Sequence, residues 1–230
     1  MNFKKLDVRN NSYYINSKKS FSSTYTLSNE SVSKAKGFAK KMTYEKKGEH
    51  RKHRSGGSHI RNNREIYLNT LAGKISEFAL FEYLNKKEIL VEEPDVETYS
   101  LGVWDTFDFQ IFNKHLSVKS TKHFGNLILL ETKDWSKDGE YLPNLDKKSS
   151  IYDFHILIRT KANNEAWDYD IPGFITHQDF KDVIKQELIL PKSSFLNGKI
   201  RMDAENYYIQ AGDLRTIDEL INLLKNPRDR

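Results

Sequence analysis

The chain of 230 residues contains no cysteine. A disulfide framework, a thiol nucleophile and a zinc ribbon are therefore excluded at the outset. No apolar run approaches the ~18 residues of a membrane span, and the opening "MNFKKLDVRNNSYY" lacks the apolar stretch of a secretory signal. The expectation is a soluble protein of the cytoplasm, with no membrane partner. The seven histidines lack paired metal-ligand spacing, and no internal repeat is visible. What the chain does have is a core's worth of apolar residues: 37% hydrophobic, with 12 Tyr, 13 Phe and 3 Trp, against 30% charged. Such a composition folds, and its length suits one domain with a small extension.

Net charge is +5 but unevenly placed. From Lys40 to Arg64 nine Lys or Arg face two acids, Glu45 and Glu49, giving +7 in that segment and leaving −2 for the rest. A concentrated positive field favours a polyanion, either nucleic acid or an anionic membrane face, although a solvated basic loop has the same composition. Within it "EKKGEHRKHRSGGSHIRNNRE" reads as a loop. Arg51, Lys52, Arg54, Arg61 and Arg64 are its candidate phosphate contacts, with His53 and His59 as weaker donors. Lys122 and His123 are further candidates on a strand end.

The pattern predicts helices over about 29–42 and 64–85, then strands near 107–112, 115–121, 127–132, 151–159, 166–171 and 207–210. Short strands are expected at 12–15 and 24–27. Two later helices start at the caps Thr176 with Asp179 and Thr216 with Glu219. The expected architecture is α/β: a central mixed, largely antiparallel β-sheet flanked by helices. Residues 1–63 are expected as an N-terminal extension with a helix and basic loop serving as a DNA-binding arm, and 64–230 as the core with C-terminal elements.

The stretch "DFQIFNKHLSVKS" carries the chemistry. A two-residue turn at Asn113 and Lys114 would oppose Phe112 to His115, Gln110 to Ser117 and Asp108 to Lys119. Asp108, Gln110, Ser117 and Lys119 would then share one polar face, with Phe109, Ile111, Leu116 and Val118 on the other. A cross-strand ion pair on a solvated face would look the same. The preceding helix adds Glu77, which falls within about 60° of Gly73, Leu80, Phe81 and Leu84 at 100° per residue. A carboxylate inside an apolar stripe needs a cation, either a Lys or Arg partner or a metal shared with Asp108.

These segments, "AGKISEFALFEYL", "WDTFDFQI" and "LSVKST", resemble the core of the PD-(D/E)XK nuclease superfamily, particularly type II restriction endonucleases. The likeness spans about Gly73 to Thr121, and looser similarity continues in "YDIPGFITHQDF" and "YYIQAGDLRTIDELINLL". It implies a restriction endonuclease-like core and a Mg²⁺-dependent endonuclease cutting double-stranded DNA at a specific short sequence as a homodimer. By the resemblance Asp108 is the metal-binding aspartate, Lys119 the catalytic lysine and Glu77 the helix acid, with the Val118 carbonyl as a further metal ligand. Asp105 is a competitor for the role of Asp108. The chain departs from the pattern at Ser117, where an acid is usual and a hydroxyl is a poor ligand for a hard cation. Some restriction enzymes of the superfamily also carry Ser-Val-Lys and draw the acid from downstream. Glu131, twelve residues after Lys119, could supply it here, or Glu77 could suffice. A catalytically inactive nucleic-acid-binding protein of the same fold, or a structure-specific DNA or RNA nuclease, stays open.

Overall fold

A computed structural model describes residues 2–45, 62–97, 107–145 and 150–225. In chain order the elements are β1 (Asp7–Arg9), β2 (Ser12–Tyr14), β3 (Tyr25–Thr26), α1 (Asn29–Thr43), α2 (Asn63–Lys86), β4 (Phe109–Ile111), β5 (Lys114–Lys122) and β6 (Leu127–Glu131), followed by β7 (Phe154–Asn163), β8 (Ala166–Thr176), α3 (His177–Lys185), β9 (Ile189–Leu190), β10 (Phe195–Leu196), β11 (Ile200–Arg201), β12 (Asn206–Gln210) and α4 (Ile217–Lys225). The fold is mixed α/β. Its helices begin where short polar side chains can accept from the first free N–H groups: Ser28 caps α1, and Asn62 with Glu65 and Thr176 with Asp179 form reciprocal capping boxes on α2 and α3.

The central sheet has the order β3-β8-β7-β5-β4. Its ladders are antiparallel except for β5 with β7, which run parallel. Strand alternation divides the interior into two layers. On one face Leu116, Phe154, Ile156 and Ile158 pack with residues of α1, α2 and α4, including Ala35, Ile75, Phe78, Leu84 and Leu220. On the other, Leu157 and Ile175 pack with Ile128, Leu130 and Ile209 of a three-stranded sheet ordered β6-β12-β9, and with Phe180 and Val183 of α3. This second sheet sets β6 over the face that carries the odd-numbered residues of β5.

The N-terminal segment expected as an extension is paired into the body of the protein. β3 adds to the edge of β8, β2 pairs in parallel with β10, and α1 packs in the same core as α2. Arg159, 1% exposed, anchors it: the guanidinium binds the Asp170 carboxylate and donates to the carbonyls of Lys19 and Ser20. The basic-loop residues Arg51, Lys52, His53, Arg54, His59 and Arg61 lie outside the described residues, as does Asp105.

Candidate active site

The hairpin closes one residue earlier than the sequence suggested. Gln110 pairs with His115 and Ile111 with Lys114, so the turn falls at Phe112 and Asn113. Phe112 adopts φ 53°, the left-handed corner that a two-residue primed turn requires. Asp153 fixes this register, because its carboxylate accepts from the His115 N–H at 2.8 Å and lies 3.7 Å from the Lys114 ammonium, drawing both residues into β5. The expected oppositions of Phe112 with His115, Gln110 with Ser117 and Asp108 with Lys119 are therefore corrected. Every partner moves by two, however, and a shift of two keeps each side chain on its face.

Asp108 stands just before β4. The ladder of β4 with β5 ends at Phe109 and Leu116, and the Val118 N–H donates to Asp108 Oδ2 at 2.6 Å. The carboxylate thus takes the place of the missing strand. N–H and C=O of one strand residue point to the same edge, so the Val118 carbonyl is directed toward the Asp108 side as well.

Asp108, Ser117 and Lys119 form one side of a cavity of about 310 Å³. The other side is built by Leu129, Leu130 and Glu131 of β6, by Asp134 and Trp135 just beyond it, and by Tyr141 and Tyr152. Glu131 precedes a single 3₁₀ turn, Thr132–Asp134. At three residues per turn, side chains three apart lie on the same side, which is how Glu131 and Asp134 both reach the cavity. Trp135 and Tyr141 close a small bridge across the following turn, and Tyr152 packs edge-on against Phe107, whose ring stacks on His115.

The electrostatics follow from this enclosure. Burial pushes the Lys119 ammonium below the ordinary lysine value, while the Asp108 and Asp134 carboxylates oppose that shift. Burial raises the Tyr152 hydroxyl, and the Asp108 charge adds to the effect. Beside Ser117, on the adjacent strand, His155 is fully buried among Trp135, Tyr152 and Phe180. Neither of its ring nitrogens has a hydrogen-bond partner among the described residues. Its pKa lies well below the usual histidine value through burial first, then the charges of Lys119 and His177.

Glu77 is not among the residues lining this cavity. It pairs with Lys74 at 2.5 Å, on a helix whose neighbour Ser76 bonds Ser120 on the opposite face of β5 from Lys119. The sheet separates Glu77 from the Asp108 face, and a Lys partner meets its need for a cation. Of the nucleic-acid candidates that are described, Arg64 is exposed in the first turn of α2, Lys122 is exposed at the end of β5, and His123 is half-buried there.

Sequence reading overlooked Asp134, Trp135, Tyr141 and Tyr152. The i, i+3 spacing of the acids in "ETKD" was the one available signal. Among the described residues no three His, Cys, Asp or Glu side chains form a metal-holding cluster. The carboxylates that line the cavity, Asp108, Glu131 and Asp134, offer oxygen, the chemistry Mg²⁺ takes, and one or two carboxylates with retained waters suffice for that ion. No protein-family model matches the chain, and neither the curated proteins nor the solved structures provide a match.

Proposed function

We propose that the chain is a Mg²⁺-dependent endonuclease hydrolysing phosphodiester bonds in double-stranded DNA, a type II restriction endonuclease-like enzyme that cuts a short specific sequence as a homodimer. One observation carries the reading: Asp108, Ser117, Lys119 and Glu131, singled out on residue type and spacing, line a common cavity.

Asp108 with Glu131, and the Val118 carbonyl, would hold the ion, with Asp134 a further acid on the same cavity. Bound there, Mg²⁺ supplies a nucleophilic water at neutral pH and offsets negative charge on the phosphate. Lys119, set between Asp108 and the second sheet, orients the attacking water and stabilises the charge developing on the phosphoryl oxygens. Its lowered pKa makes it a readier proton acceptor than an exposed lysine. The Val118 N–H fixes the Asp108 carboxylate, so the acid meets the ion with its orientation already set. Ser117 donates or accepts one hydrogen bond to a ligated water or a phosphate oxygen. Arg64, Lys122 and His123, together with Arg51, Lys52, His53, Arg54 and Arg61, would neutralise backbone phosphates. Five such contacts give a salt slope near −4.5 on duplex DNA.

A non-catalytic DNA-binding protein is the second reading, favoured by Ser117 at the usual acid position. Incubating mixed-sequence plasmid with the protein and Mg²⁺, then with EDTA, separates the two. The nuclease reading expects discrete metal-dependent fragments that vanish in Asp108→Ala and Lys119→Ala variants of unchanged fold. Tight binding without cleavage under any divalent ion favours the second reading, and full activity in either variant removes the site.

A further inference from the structure

The turn joining β5 to β6 runs between Lys122 and Leu127. It presents Phe124 with 64% of its surface exposed, beside the exposed Lys122 ammonium, 5.9 Å from the ring centroid. His123 lies edge-on to Phe124 at 5.1 Å and to Phe21 at 5.8 Å, making a short aromatic ridge.

The ridge is held stiffly. The Gly125 N–H donates to the Lys122 carbonyl at 2.7 Å, the His123 N–H to the Thr160 carbonyl at 3.0 Å, and the Asn126 side chain to the Phe124 carbonyl at 3.3 Å. At Gly125 any Cβ would lie 2.2 Å from Thr121 Oγ1, so the turn depends on a glycine. The segment bearing Lys18 is laid against the same turn by the Lys19 N–H, which donates to Asn126 Oδ1 at 2.8 Å. Lys161 follows Thr160, the β7 partner of Lys122. Lys18, Lys122 and Lys161 are all exposed. The nearby acids are engaged within the protein: Asp213 accepts from Ser17 and the Lys4 N–H, and Asp168 from Thr26 and Asn163.

A rigid exposed ring costs the folded chain its hydration without burying it against the core. With the Lys122 ammonium beside it, it matches a polyanion that also offers flat apolar faces, which is a nucleic acid with a base out of its stack. The turn follows the candidate site along β5, which carries Lys119 three residues before Lys122, about 10 Å of extended chain away and on the alternate face of the strand.

We propose that the β5–β6 turn is a nucleic-acid contact on which Phe124 stacks against one unpaired base, while Lys18, Lys122 and Lys161 take the flanking phosphates. The proposal rests on the nucleic-acid reading above and adds that the substrate is bound with one base unstacked at this turn.

The test is binding by the full chain in EDTA, read by fluorescence anisotropy with two probes: a short mixed-sequence duplex and the same duplex carrying one unpaired thymine. The wild type should prefer the bulged probe by about 5-fold or more, and Phe124→Ala should lose that preference through roughly 5- to 100-fold weaker binding of the bulged DNA. Phe124→Trp should retain the preference. Lys122→Ala should weaken both probes alike and lower the salt slope by about one. Equal binding of the two probes by the wild type, or an unaffected Phe124→Ala, overturns the stacking contact alone. Failure of the wild type to bind either probe overturns it together with the nucleic-acid reading.

Discussion

Replacing Arg159 by methionine should be among the most damaging single changes in the protein. The guanidinium is almost wholly buried and makes two bonds to the Asp170 carboxylate, one to the Lys19 carbonyl at 2.7 Å and one to the Ser20 carbonyl at 2.8 Å. Methionine fills much of the volume but donates nothing. Asp170, itself 8% exposed, would keep the Ser22 N–H at 3.0 Å but lose its countercharge, and two carbonyls would lose their donors. Breaking a buried pair from one side costs about 3–5 kcal/mol, against a total stability of roughly 5–15 kcal/mol. With an m-value near 2.5 kcal/mol/M, the urea midpoint followed by far-UV circular dichroism should fall by about 1–2 M. Arg159→Met with Asp170→Leu removes the stranded charge as well, and should recover a large part of the loss. A single-variant shift below about 0.3 M, or a double variant worse than the single, would refute the argument.

Gly173 has φ 148°, and a Cβ there would lie 2.0 Å from the Arg215 carbonyl oxygen that Phe174 bonds, so Gly173→Ala should cost roughly 2–4 kcal/mol in thermal unfolding. His155 is neutral in the fold because its pKa is depressed, whereas the unfolded chain protonates near 6.5. The unfolded state therefore gains the proton first as pH falls below 6.5, and stability should drop by up to about 1.4 kcal/mol per pH unit on this account. His155→Phe suits the aromatic cage and should flatten that acid limb; an unchanged slope in urea titrations at pH 5 to 7 would contradict it. If the nuclease reading holds, Glu131→Gln should lower cleavage by at least about 100-fold, while Glu77→Gln, on the other face of the sheet, should lower it far less at equal thermal stability. The reverse order would return Glu77 to the site.

Much of the fold was legible because its signals are local. Apolar spacing and polar caps located both long helices to within a residue or two, and Thr176 and Thr216 marked the starts of α3 and α4. β1 and β11 escaped notice although their partners, β2 and β10, are neighbours in the chain, whereas other strands that escaped it are held by distant partners, as β10 is by β2. The same limit explains the wall of the cavity. "KDWSKDGEYLPN" is polar and rich in turn residues, so it reads as loop, yet Trp135 turns inward onto Phe180 and His155 because α3 and β7 stand behind it. For Glu77 the two alternatives were a Lys or Arg partner and a shared metal, and the structure supplies the Lys partner. Helical periodicity identified Glu77 as partly enclosed but could not say which face of the sheet the helix would cover, and Lys74, one turn earlier, supplied the countercharge locally.

The candidate site survives its own register error for a reason that generalises. A two-residue turn moved by one position changes every cross-strand partner by two, so facing is conserved while pairing is not. Asp108 loses Lys119 as its direct opposite and acquires the Val118 N–H, yet it still lines the same cavity as Ser117 and Lys119. Had the hairpin gained one unpaired residue instead, Asp108 would have been sent to the helix side, toward Glu77 and away from Lys119. The polar face is thus set by alternation within each strand, and which acids complete it is set by what packs across that face. Here the packing element is β6 with its 3₁₀ turn, which brings Glu131 and Asp134 to the cavity that Ser117 also lines. On the nuclease reading a carboxylate absent from one strand would be supplied from the opposing sheet, and the spacing within "LSVKST" alone cannot register that exchange.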